Sequence, residues 1–203
     1  PRATDYLVVP ESVQKVYGER PREVDIVLPS DDPEMVLPQF LKCYRAAGLW
    51  CAGDGVTAKR WDETGRLAER ECPCELRERK GDKPPECRAT ATLRFMVPDV
   101  PGLGIWELVI RQEEAIVEIN TALEHFSAMF GGLRGVPLVL RLEHVQRMRW
   151  DDKTRQMVKV MVWTPKLDTR RTLADIFASR KALGAAVDRM MLPAMGDVEP
   201  DDH

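Results

Sequence analysis

Four of the five cysteines fall in one stretch, as Cys51, Cys72, Cys74 and Cys87, with the spacing C-x20-C-x-C-x12-C. Residues 48–88 around them are rich in Gly, Pro and charge and show little apolar periodicity. A segment without an apolar face cannot be held by core burial alone. An odd cysteine count with no secretion signal argues against a disulfide framework and for metal or redox chemistry. Four soft thiolates suit tetrahedral zinc, and the binding energy of such an ion becomes folding energy. The basic neighbours Arg70, Arg77 and Arg88 favour ionised thiols. The sequence thus predicts a zinc-binding insertion over 48–88, with Cys51, Cys72, Cys74 and Cys87 as ligands. The alternative is four unconnected structural thiols. Cys43, one position off an apolar stripe, reads as a small buried hydrophobe and is the natural substitute for Cys51.

The rest of the chain reads as ordered. At 203 residues, 44% hydrophobic and 31% charged, it is long enough for one domain with a sizeable core. No apolar run approaches the ~18–20 residues of a membrane span, and no signal-peptide pattern is present, so a cytoplasmic location is expected. The chain opens on Pro1, not Met, which points to a start that is missing or processed.

Residues 1–22 read as an irregular arm. Val24, Ile26 and Leu28 alternate as a half-buried strand. A helix is expected from about Pro33 to Ala47, capped by Ser30, Asp31 or Asp32. Residues 90–97 and 105–111 read as a hairpin. Glu113 to Phe130 is the clearest helix, with Ile116, Ile119, Leu123, Phe126 and Phe130 on one stripe and Gly131-Gly132 as its stop. Residues 136–145 and 155–163 read as two further strands. A helix over about 168–183 and a disordered acidic tail over 192–203 close the chain. The expected fold class is α+β: an antiparallel sheet with helices on one face in ferredoxin-like β-α-β-β-α-β order, plus an extra strand and a C-terminal helix. The main domain is placed at 23–191.

Charge is uneven. Residues 1–130 carry 17 Lys/Arg against 23 Asp/Glu, whereas residues 131–190 carry 13 against 6. Arg134, Arg141, Arg147, Arg149, Arg155 and Lys159 fall there, with Trp163 among them. Such a face can hold phosphates and stack bases, or dock a protein; a solvated basic surface is the plain alternative. Gly131-Gly132-Leu133-Arg134-Gly135 reads as a helix C-cap or as a loop for a phosphate chain. Catalytic patterns are missing: no HExxH, no Gly-x-Ser-x-Gly, no Walker or Rossmann glycines, and no deaminase signature. A zinc ion saturated by four cysteines leaves no position for a reactive water. A non-enzymatic role is therefore expected.

Several segments together resemble phage recombination directionality factors of the larger type, which work with large serine integrases. They are Tyr17-Gly18-Glu19-Arg20-Pro21 before the strand Val24–Leu28; Cys51-Ala52-Gly53-Asp54-Gly55 with Ala58-Lys59-Arg60-Trp61; Glu71-Cys72-Pro73-Cys74-Glu75; Cys87; Leu93-Arg94-Phe95; Ile116–Asn120; and Val136-Pro137-Leu138. The resemblance covers about 17–163. It implies a factor without enzymatic activity that binds the integrase on DNA and turns it from integration to excision. The competing expectation is a subunit of a larger ribonucleoprotein that binds RNA or single strands, and it predicts nucleic-acid binding with no protein partner.

Overall fold

The computed structural model describes residues 5–62, 64–78, 85–102, 104–151, 154–172, 174–175 and 178. Two antiparallel sheets form around one long helix. The first sheet has the order β1-β8-β9: β1 is Glu23–Val27, β8 Pro137–Asp151 and β9 Gln156–Asp168. The second has the order β5-β4-β3-β2-β6-β7: β2 is Gln39–Arg45, β3 Gly48–Gly53, β4 Thr57–Trp61, β5 Leu67–Glu71, β6 Cys87–Phe95 and β7 Trp106–Ile110. Helix α3, Glu113–Phe130, follows β7; α1, Glu11–Tyr17, and α2, Pro33–Val36, are short. The sheets are tied by a bridge between Val27 and Met96, each donating its N–H to the other's carbonyl at 2.9 Å.

The core follows from the alternation. Val24 pairs Leu140 and Ile26 pairs Leu138, so four buried side chains meet across β1 and β8. On β6, Ala91, Leu93 and Phe95 point the same way and are buried, while Arg88 is exposed. Helix α3 supplies Ala115, Ile116, Ile119, Leu123 and Phe126 to this core. Its last turn closes on Gly131 in the left-handed region, whose N–H reaches the carbonyl of Ser127 at 2.9 Å. The predicted strand at 24–28, the hairpin at 90–111 and this helix with its buried stripe are all present.

Three expectations are corrected. The helix over Pro33–Ala47 is a single turn, α2, followed by strand β2. Asp32 caps that turn by accepting from the N–H of Glu34 at 2.9 Å. Leu37, which precedes Pro38, leaves the helical region at φ −133°, ψ 63°, as a pre-proline residue is driven to do. Second, residues 48–88 are not an irregular insertion: they hold β3, β4, β5 and the start of β6. The ferredoxin-like order therefore does not hold, because strands stand where a helix and a loop were expected. Third, the arm contains α1, and Leu7 and Val13 are buried in the main core. The tail over 192–203 lies outside the described residues, as does half of the helix expected over 168–183, and β9 runs on through Asp168. Among the described residues no helix is long and apolar enough to cross a membrane.

The glycine loop after α3 is fixed by a carboxylate. Asp31 Oδ1 accepts the N–H groups of Leu133 at 2.7 Å and Arg134 at 2.8 Å. A Cβ on Gly132 would stand 2.6 Å from that oxygen, at φ +158°. These backbone hydrogen bonds, Arg134's first, hold the Asp31 carboxyl below the usual carboxylate range. A depressed folded value means the stabilisation is present above the ordinary aspartate value and is lost as pH falls through the folded one. Asp31→Asn should therefore be less stable than the wild type at neutral pH. The two melting curves should converge as pH drops below about 4, which a pH series of thermal melts will show. The loop's N–H donors are thus committed to Asp31, and the C-cap reading of Gly131 holds.

Candidate functional sites: a thiol cluster and a basic ribbon

The small sheet lobe has its own core, and it is made of cysteines. Cys43 on β2 lies directly across from Cys51 on β3 and from Cys87 on β6. Directly opposed residues of antiparallel strands share a face, so three thiols form a row on one side of the sheet. They are 1%, 4% and 5% exposed respectively. The chain after β5 then folds back over that face. It brings in Cys72, Cys74 and Leu76, the last from a 3-10 turn over Glu75–Arg77, and Ala58 completes the cluster.

Glycine makes room for this return. A Cβ on Gly53 would stand 2.7 Å from Cys72 Sγ, 2.7 Å from the carbonyl oxygen of Thr57 and 2.8 Å from the Ala58 Cβ. The hairpin joining β3 to β4 is set by Asp54, whose Oδ1 accepts from the N–H groups of Val56 and Thr57, both at 2.8 Å. Gly55 takes φ +101° in that turn. Arg77 clamps the returning loop to α3: its guanidinium donates to both carboxylate oxygens of Glu113, at 2.7 and 3.2 Å, and to the Cys87 carbonyl at 3.3 Å.

Burial favours the neutral form of two of these thiols, Cys87 and Cys43. Burial pushes Cys87 up to about 11, with Cys51 and Cys72 next and then Cys43 and Cys74. Burial also raises Cys43, whose next cause is Glu86. Arg60 is the local counter-charge. Its Nη2 donates to Cys74 Sγ at 2.7 Å, its Nη1 to Glu75 at 3.4 Å, and its guanidinium carbon lies 5.0 Å from the centroid of Trp50. All five cysteines are free thiols. The donor type suits a soft metal, and Gly53 leaves the space that Cys72 fills. The thiols are gathered without forming a ready ligand set: among the described residues no group of three or more His, Cys, Asp or Glu side chains is placed to hold an ion.

The basic residues do not make one face. β8 and β9 pair over their whole length, from Val139 with Asp168 to Asp151 with Gln156. In that register Arg141, Arg147 and Arg149 share one side with Val158, Val160 and Val162. Lys159 and Trp163 lie on the other side, with Met148, Met157 and Met161. Arg141 bonds Asp168 at 2.9 Å, and Arg147 is paired with Glu118 of α3. Trp163 is stacked on His144 with ring centroids 4.6 Å apart, and the Arg22 guanidinium lies 4.8 Å from its centroid. It is engaged within the fold. Arg149, Arg155 and Lys159 are exposed and have no ion-pair partner among the described residues, and Arg134 is exposed beside its loop. The three ribbon methionines are each about half exposed. They had no place in the sequence reading, although the alternation of β9 puts Met157 and Met161 opposite its valines.

Both features lie within a region of known kind. Residues 1–165 match the family model described as Gp3-like, recombination directionality factor-like. The chain belongs to that family. No curated protein and no solved structure matches it. The region matched by the directionality-factor model contains all five cysteines and nearly all of the β8–β9 ribbon. A role in phage-type DNA recombination, as an accessory, follows from this membership.

Proposed function

We propose that this protein is a non-enzymatic factor that binds a large serine integrase on DNA and switches it toward excision. The family match over residues 1–165 carries the reading. The distal β8–β9 ribbon supports it as the contact surface, because it extends beyond the stretch of β8 that β1 covers, Pro137–Arg141. It presents Met148, Met157 and Met161 with Lys159 on one side and Arg149 on the other. Flexible, polarisable methionines suit a protein partner, and unpaired cations steer an acidic or DNA-bound one. The reading as an RNA- or single-strand-binding module has less support, because Trp163 is stacked on His144 and is not a free platform.

The test is recovery of partners by the tagged full chain from cells carrying its cognate element, with and without nuclease. An integrase that stays bound after nuclease treatment is the expected result. Nucleic acid recovered with no recombinase would overturn it. Met157→Asp with Met161→Asp should weaken integrase binding by on the order of tenfold or more, with little change in melting temperature, since both side chains are exposed.

A further inference from the structure

The sheet of the small lobe has a second face, on the side away from the thiols, and a row of cations crosses it. Strand pairing fixes the row. Lys59 on β4 lies across from Ala52 on β3, Ala52 from Lys42 on β2, and Lys42 from Arg88 on β6. Each of the four is next in sequence to a residue buried in the thiol cluster, so all four point the other way. Neighbouring strands stand about 4.8 Å apart, so the row runs about 14 Å across the sheet. Lys59 and Arg88 are exposed and Lys42 is half-buried. None of the three has an ion-pair partner among the described residues. Acids flank the row at its ends: Glu69 lies across from Lys59 on β5, and Glu86 stands two residues before Arg88. Neither forms an ion pair with it.

Folding does not call for this arrangement. Like charges directly opposed on antiparallel strands destabilise the pair, and Lys42 with Arg88 is such a pair. Ala52, between Lys59 and Lys42, is too short to screen them. Two aromatic rings place charge on the same face. Lys42 Nζ lies 5.4 Å from the ring centroid of Phe40, and the guanidinium carbon of Arg111 lies 5.5 Å from that of Tyr44. Phe40 and Tyr44 flank Lys42 on its side of β2 and are 40% and 50% exposed. With a cation over each ring, the rings hold charge in place and are not open platforms for unpaired bases.

We propose that this face binds the phosphate backbone of duplex DNA, with Lys59, Lys42 and Arg88 as the contacting cations and Arg111 beside them. A duplex carries one negative charge per about 1.7 Å of its axis, so a row of this length meets several phosphates. Lysine and arginine on phosphate carry no sequence information. The contact is therefore sequence-independent and weak, with a Kd on the order of 10⁻⁴–10⁻⁶ M at physiological salt. Beside a DNA-bound partner the same contact becomes intramolecular and counts for more. The face belongs to the six-stranded sheet and the β8–β9 ribbon to the other, so the proposal does not depend on what the ribbon binds.

The experiment is fluorescence anisotropy of a labelled short duplex titrated with the purified full chain over a series of salt concentrations. Log K against log salt should fall with a slope of about −3, as three neutralised phosphates require. Duplexes of unrelated sequence should give the same constants. Lys42→Gln with Arg88→Gln should weaken binding about tenfold or more at low salt and bring the slope to about −1. This double variant should melt no lower than the wild type, because an opposed like-charge pair is removed. Lys59→Gln alone should lower the slope by about 1, which keeps the test open if the double variant unfolds. Arg149→Gln with Lys159→Gln, on the ribbon, should keep the wild-type slope. Binding that is undetectable at low salt or unmoved by salt would overturn the proposal. So would a loss carried by the ribbon variant instead, a single strand of the same length that binds tighter than the duplex, or a polyglutamate chain that competes as well as unlabelled duplex, the last marking an acidic protein surface as the occupant. No integrase is present in any arm, so failure here is told apart from failure of the ribbon as an integrase contact.

Discussion

Ile119→Ala should cost about 2–5 kcal/mol of stability. Ile119 lies in the middle of α3, is 0% exposed, and belongs to the cluster that joins the helix to both sheets. Truncation removes three carbons from a packed interior, and the cavity term adds to the lost transfer energy. In a chain of this size each kcal/mol lowers the melting temperature by about 2–4 °C, so the midpoint should fall by roughly 4–20 °C. The denaturant slope should not change, because the surface exposed on unfolding is nearly the same. A neighbouring substitution on the exposed side of the same helix, Val117→Ala at 63% exposure, should move the midpoint little. Equal effects at the two positions would mean that the helix does not pack as described.

Gly53→Val should be the most damaging single change in the thiol lobe. The first added carbon already meets Cys72 Sγ, a backbone carbonyl and Ala58 Cβ at under 3 Å. Two of those three neighbours cannot swing aside, because one is backbone and the other is a Cβ fixed to it. Overpacking of this kind costs about 1–3 kcal/mol, occasionally more. The strain is directed: it pushes the returning loop off the sheet, so Cys72 should become reactive toward a thiol reagent at a rate near that of an exposed cysteine. Ala52→Val, one residue away on the opposite side of β3, is the control. Its reagent kinetics should match the wild type, because Ala52 pairs with Lys42 and Lys59 and points away from the cysteines.

The contrast between the two lobes explains what the sequence made visible. In the main core the inward residues are large and aliphatic. Val24, Ile26 and Leu28 alternate cleanly, and Ile116, Ile119 and Leu123 recur at helical spacing. Hydrophobic periodicity is then enough to place the strand and the helix. In the small lobe the inward residues are Cys43, Cys51, Gly53 and Ala58. These side chains are small and leave no alternation of large apolar residues, so β3, β4 and β5 read as an irregular stretch. The register break between Cys43 and Tyr44 further hides the alternation. Phe40, Leu41 and Tyr44 mimic a helical stripe there, and only Leu37-Pro38 marks the stop. The cysteine spacing pointed to a stretch whose thiols the structure does bring together, Cys43 included, though without a ready ligand set among the described residues. It could not show that Cys43 stands between Cys51 and Cys87, since that follows from strand register alone. The basic residues were counted correctly but assigned to one face; pairing across β8 and β9 distributes them over two and commits Arg141 and Arg147 to acids.

Redirection of a recombinase is the activity proposed for this chain. The direct measurement is recombination in vitro by the cognate large serine integrase, with the purified chain added or omitted. One DNA substrate carries the two sites joined in integration, and the other carries the two hybrid sites that flank an integrated element. Alone, the integrase should recombine the first pair and leave the hybrid pair nearly unreacted. With a molar excess of this protein, the hybrid pair should recombine efficiently and the first reaction should be suppressed. Unchanged yields on both substrates, with an integrase shown to be active, would contradict the account.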